Sequence, residues 1–193
     1  MRRSRTTWVS LALLSAALTV PVLPAQTASA TSATVAQTAC PTGWGSLDKV
    51  GAATATASLT NVRTGRHDCY DRMVVDVPGA GTGTGYWVRY VDQLRQDGSG
   101  QVVPVAGGAV LEVRVMAPSY DPETGVPTYP ARPGRPLPGV DLTGYRTFRD
   151  ARFVGSFEGD TQLGLGVRAR LPFRVLTLTD RVVVDVAHAW TSG

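Results

Sequence analysis

From Asn61 onward the chain is a succession of short runs in which apolar and polar residues alternate, each soon broken by Gly, Asp-Gly or Pro. Alternation with period two sends successive side chains to opposite faces of an extended strand. Residues 72–77 show the pattern clearly, with Met73, Val75 and Val77 on one face and Arg72, Val74 and Asp76 on the other. Residues 86–92, 109–116, 147–154, 162–169, 174–178 and 181–187 read the same way. No long stretch carries the 3.6-residue period of a helix, except for a possible single turn over residues 44–50. Residues 79–85 are predicted to form a glycine-rich hairpin turn, and Asp97-Gly98-Ser99-Gly100 a second. Regularly spaced short strands predict an all-β fold, a small antiparallel β-sandwich or barrel-like domain.

One strand pattern occurs twice. Asp71-Arg72-Met73-Val74-Val75-Asp76-Val77 returns as Asp180-Arg181-Val182-Val183-Val184-Asp185-Val186, differing only at Met73 against Val182. No wider repeat surrounds the two copies, so they are not read as a duplication. Placed side by side, they would set Arg72 or Arg181 against Asp185 or Asp76, an exposed pairing that contributes about 0.2–1 kcal/mol.

The stretch 117–146 breaks the alternation. Seven prolines, from Pro118 to Pro138, rule out a central strand there. Loops of this length are either functional or mobile. Tyr120, Tyr129 and Tyr145 lie in it, and aromatic rings on a proline-stiffened loop suit stacking on sugars or docking to a partner. They are the candidate binding residues; a disordered insertion is the competing reading.

The start of the chain reads as an export signal. Arg2, Arg3 and Arg5 precede an apolar run from Trp8 to Leu23, and Ala28-Ser29-Ala30 supplies a small-x-small cleavage pattern. The expected division is therefore a signal peptide over 1–30, a flexible spacer over 31–39 and one β domain over 40–193. The apolar run is short for a membrane span and contains Pro21. No cysteine follows it directly, so no lipid or membrane anchor is expected once the signal is removed. Of the 19 basic and 15 acidic residues, three basic ones fall within the signal, which leaves 16 against 15. That balance holds no block of like charge, and nucleic acid is excluded as a partner. Cys40 and Cys69 sit in a chain bound for an oxidising compartment, where pairing is the default and a free thiol the alternative.

Catalytic patterns are sparse. Gly-x-Ser-x-Gly, His-Glu-x-x-His and phosphate-cradling glycine motifs are absent, and only two histidines exist. Glu158 and Asp160 read as part of a turn. If the two similar strands are antiparallel neighbours, His67 or Asp68 approaches His188, and those three residues are the weak candidates for a divalent-metal site. No metal, cofactor or catalytic residue is expected. A monomer is expected as well, although an exposed edge strand would let two copies pair.

Several segments carry a family resemblance. They are Cys40-Pro41-Thr42-Gly43-Trp44-Gly45-Ser46, the stretch from Val62 through His67-Asp68-Cys69-Tyr70-Asp71-Arg72, and Tyr90-Val91-Asp92. They continue with Val103-Pro104-Val105-Ala106-Gly107-Gly108-Ala109, Phe153-Val154-Gly155-Ser156-Phe157-Glu158-Gly159, and Phe173-Arg174-Val175 with Val183 to His188. Together these resemble the AMIN-like domain of actinobacterial secreted proteins and lipoproteins, over nearly the whole chain after the spacer. The resemblance implies a small β-sandwich that binds peptidoglycan or an envelope partner without catalysis, in a secreted or wall-associated protein. It carries over no functional residues, and the chain lacks the catalytic domain that follows such sandwiches in amidases. The alternatives from the residues are a small secreted hydrolase with an unrecognised carboxylate site, and a secreted protein-interaction or inhibitor module presenting the proline-rich loop.

Overall fold

A computed structural model describes residues 40–190. The expected signal peptide and spacer lie outside the described residues. Among the described residues nine strands follow in chain order: β1 (Lys49–Gly51), β2 (Asn61–Arg66), β3 (Tyr70–Asp76), β4 (Gly85–Val91), β5 (Ala109–Met116), β6 (Phe148–Phe157), β7 (Asp160–Val167), β8 (Phe173–Leu178) and β9 (Arg181–Ala187). They form two antiparallel sheets, β1-β4-β5-β7-β6 and β2-β3-β9-β8, so the all-β sandwich expected from the alternation is present. Each strand sends one row inward: Val88, Val113, Leu163 and Phe153 lie in register across the first sheet, opposite Met73, Val75, Val182 and Val184 of the second. All of these are buried in one core.

The turn at 44–50 is not helical; its last residues form β1 on β4 instead. The glycines at 79–85 do not make a hairpin either, because β3 and β4 belong to different sheets. They carry the chain across, and the Asp180 carboxylate at the β8–β9 turn accepts the backbone N–H groups of Gly79 and Gly81. Glu158 and Gly159 take positive φ in the two-residue turn between β6 and β7, the turn role expected of that stretch.

A sandwich of two open sheets leaves two sides unsealed, and two irregular segments close them. The proline-rich stretch is ordered and closes the side between β6 and β2. Backbone bonds from Gly134 N to Phe153 O, from Leu137 N to Ala151 O and from Phe153 N to Arg135 O line it along the β6 edge. The Tyr145 hydroxyl donates to Thr64 of β2, and Thr128 donates to the Leu59 carbonyl. Prolines are tolerated here because an edge needs only part of the ladder filled. Residues 44–51 close the opposite side, with Phe173 N bonding Gly45 O at the head of β8 and Lys49 lying 4.8 Å from the Phe173 ring centroid.

Outside the first sheet, residues 92–106 lay Leu94 and Val103 on Val154 of β6 in a small second cluster. Gly164 and Gly166 of β7 make room for it: a Cβ at Gly164 would collide with the Leu94 side chain, and one at Gly166 with the Ala106 carbonyl. The Gly166→Ala variant should therefore cost about 1–3 kcal/mol, read as a lowered urea midpoint with an unchanged slope.

Tyr129, on the proline-rich stretch, is 3% exposed and packs edge-on against Phe153. Burial pushes its phenol up to about 12. In the unfolded chain it ionises near its ordinary 10.0, so the stability it confers is intact below that pH and is lost as pH rises from 10 to about 12. Replacing it by Phe should flatten this alkaline limb by about 2–3 kcal/mol in urea titrations across that range.

Candidate functional site

The two similar strands lie side by side. β3 and β9 pair antiparallel, with Arg72 opposite Asp185 and Asp76 opposite Arg181. Asp185 points outward yet is fully buried, because arginines from both flanking strands lie over it. Arg72 of β3 donates Nε at 2.6 Å and Nη2 at 2.9 Å; Arg174 of β8 donates Nε at 2.9 Å. The expected exposed pairing is thus an enclosed carboxylate shared by two guanidinia, and the hydrogen bonds to Asp185 raise the Arg72 pKa further. The reciprocal pair does not form: Asp76 takes a two-pronged contact from Arg63 of β2, and Arg181 donates only to the Thr179 carbonyl.

Aromatic rings frame these arginines. Arg174 lies 4.5 Å from the Trp44 ring centroid and 5.5 Å from that of Tyr70, and Arg72 lies 5.2 Å from Tyr70. Trp44 and Tyr70 contact each other at 5.5 Å, and the His67 ring stacks on Tyr70 at 4.5 Å. The Cys40–Cys69 disulfide, formed as expected, fastens this group: Tyr70 directly follows one cysteine and Trp44 lies four residues past the other. Beside the stack a groove of about 260 Å³ runs along the sheet, walled by Arg63, Arg72 and Arg181 over Val74 and Val183. The face combines flat rings, fixed guanidinia and an apolar floor, suited to ligands carrying carboxylates or sugar rings. The alternation does not single out Trp44, Tyr70 or Arg174, whereas Arg72 and Arg181 are the arginines of the twin strands. The signal available was the placement of an aromatic close after each cysteine, together with the twofold occurrence of one strand.

The approach of His67 to His188 is realised, but through the main chain. His188 Nε2 bonds the His67 carbonyl at 2.9 Å, and its Nδ1 lies 3.0 Å from the Thr147 hydroxyl. Both ring nitrogens are engaged, the His67 ring faces Tyr70, and Asp68 meets Arg146 through its carbonyl. Among the described residues no three metal-binding side chains converge. Asp71, next to the pair, is instead a structural carboxylate: its Oδ2 accepts the N–H groups of Thr147 and Phe148 at 2.6 and 3.0 Å.

Of the three candidate tyrosines, Tyr129 cannot stack on an external ligand, since its ring fills the core. Tyr145 is stacked on Phe148 at 5.8 Å with its hydroxyl tied to Thr64. Tyr120 is half-buried on a short hairpin, with its carbonyl accepting from Ser58. A loop that has to seal a sandwich turns its large apolar residues inward.

Carboxylates do meet on the first sheet. Asp97 and Asp160 line a cavity of about 80 Å³, and both pair with Arg114, which also reaches Glu112. The Arg114 guanidinium is the ion-pair partner of both carboxylates and occupies the space between them. At about 80 Å³ the cavity is also less than a third of the groove of about 260 Å³ beside the aromatic stack.

Two outcomes follow from this geometry. Asp185→Asn should cost about 2–3 kcal/mol in chemical denaturation, less than a wholly enclosed pair because Arg72 and Arg174 both reach solvent. Replacing Cys40 and Cys69 by Ser should cost about 3–4 kcal/mol for a closed loop of this size. It should also shift Trp44 fluorescence towards that of an exposed indole before global unfolding.

A family model described as the AMIN-like domain matches residues 57–188. No curated protein and no solved structure matches the chain. The matched span takes in β2 to β9 and the arginines on Asp185, and begins after Cys40 and Trp44, which the sequence resemblance included. AMIN-like domains are in general non-enzymatic modules linked to peptidoglycan and to an extracytoplasmic, envelope-related location. With its match running across most of both sheets, the chain belongs to the AMIN-like domain family.

Proposed function

We propose that this domain is a secreted, non-catalytic module that holds peptidoglycan, or an envelope partner displaying it, on the outer face of β2-β3-β9-β8. The observation that carries this reading is the Trp44–Arg174–Tyr70–Arg72 stack held on the buried Asp185. Groups already fixed by packing lose little freedom on binding, so a face of this kind gains affinity from each contact it makes. Sugar rings offer C–H faces to Trp44 and Tyr70. The carboxylates of stem peptides suit Arg181, whose guanidinium lines the groove and meets no carboxylate among the described residues.

Co-sedimentation of the purified protein with isolated peptidoglycan sacculi tests this. The protein should pellet with the sacculi, and Arg181→Glu or Trp44→Ala should each weaken retention about tenfold, the equivalent of 1.4 kcal/mol. Recovery of the unmodified protein wholly in the supernatant counts against the wall reading. Added salt should weaken retention too, since Arg181 is exposed to solvent.

A further inference from the structure

On the other side of residues 44–51 lies a separate cleft of about 470 Å³, at the end of β4 and the start of β5. Tyr90, Asp92, Arg170 and Gly107-Gly108 are among the residues that line it. Arg170 lies 5.0 Å from the Tyr90 ring centroid and is tethered to Ser46, Nη2 to the carbonyl at 3.4 Å and Nε to the hydroxyl at 3.5 Å. Tyr90 is locked in turn, its hydroxyl donating to the Leu171 carbonyl and accepting the Leu171 N–H. Next to Arg170 stands Trp190, 59% exposed, with its indole N–H donated to the Arg170 carbonyl at 3.2 Å. Asp92 is exposed and has no ion-pair partner among the described residues. The glycine wall is bare backbone by necessity: a Cβ at Gly107, which has positive φ, would come within 2.7 Å of the Val167 carbonyl.

These groups select a ligand class. One guanidinium and one carboxylate leave the cleft without net charge, which disfavours a polyanion and a bare cation alike. An apolar ligand would leave both charged groups unpaired. A neutral polyhydroxylated ring satisfies all of them: hydroxyls donate to Asp92 and accept from Arg170, and a C–H face lies on the exposed indole. Its volume falls within the range of small-ligand sites. We infer that this cleft is a saccharide subsite for an uncharged glycan chain, with Trp190 as the stacking platform and Asp92 and Arg170 as the polar contacts. The inference deepens the wall-binding reading by naming the glycan, not the peptide, as the ligand on this side, and it rests on that reading only for the source of the sugar.

The test is titration of the purified protein with a hexamer of β-1,4-linked N-acetylglucosamine, which carries neither peptide nor charge, followed by tryptophan fluorescence and calorimetry. Saturable binding is expected, weakened at least about tenfold in Trp190→Ala and in Asp92→Ala and unchanged in Arg132→Ala, at an exposed residue of the proline-rich stretch outside both faces. Both weakening substitutions are at exposed positions, and an unchanged urea midpoint shows that they fold. No binding up to about 10 mM hexamer, or binding that both variants retain in full, overturns the inference. Sacculus retention without hexamer binding overturns the saccharide subsite and leaves the wall reading in place. Hexamer binding without sacculus retention does the reverse.

Discussion

Two sheets laid face to face bury their inner rows well but leave both sides of the sandwich open to water. Two irregular segments answer that constraint. Residues 117–146 seal the side between β6 and β2, laying Tyr129 and Leu137 into the core. Residues 44–51 seal the side between β8 and the first sheet, adding β1 to β4. An unsealed edge would expose unpaired backbone groups and invite pairing between copies. The disulfide matters for the same reason: Cys40 anchors the sealing segment to Cys69, at the entrance to β3.

The candidate binding surfaces are by-products of the closure between β8 and the first sheet. All three tryptophans among the described residues flank the sealing segment: Trp44 belongs to it, Trp87 donates to Asp48 at 3.2 Å, and Trp190 caps Arg170, which is tied to Ser46. Trp44 and Trp87 each carry an arginine, at 4.5 Å for Arg174 and 3.9 Å for Arg89. Planar cations on planar rings keep both groups at the surface in fixed orientations. A face built this way can recognise a ligand without moving, which fits a module that localises a protein rather than one that transforms a substrate.

The enclosed Asp185 shows how the same pairing serves stability and recognition. Two guanidinia are held in register because one carboxylate lies between them, and that register aligns the aromatic stack above. The pairing expected from the twin strands had the right residues in Arg72 and Asp185 but the wrong environment. Alternation tells which side of a strand a residue occupies, whereas burial on the outward side depends on what the neighbouring strand, here β8 with Arg174, brings across. Similarly, Tyr120, Tyr129 and Tyr145 were visible as aromatics on a loop. Whether such a loop faces solvent or core depends on the gap it has to fill.

The sequence by itself determined the strand positions of residues 72–77, 109–116 and 181–187, the sandwich class, the pairing of Cys40 with Cys69 and the family. These follow from local periodicity, from the number of cysteines and from motifs contiguous in the chain. It did not determine β1, the crossing of residues 79–85 between sheets, the ordering of the proline-rich stretch or the saccharide cleft. Each of those depends on contacts between segments far apart in sequence, Ser46 with Arg170 and Gly81 with Asp180 among them. Such contacts leave no periodic trace in a single chain, because many different residues could fill the same gap; only packing to completion decides which ones do.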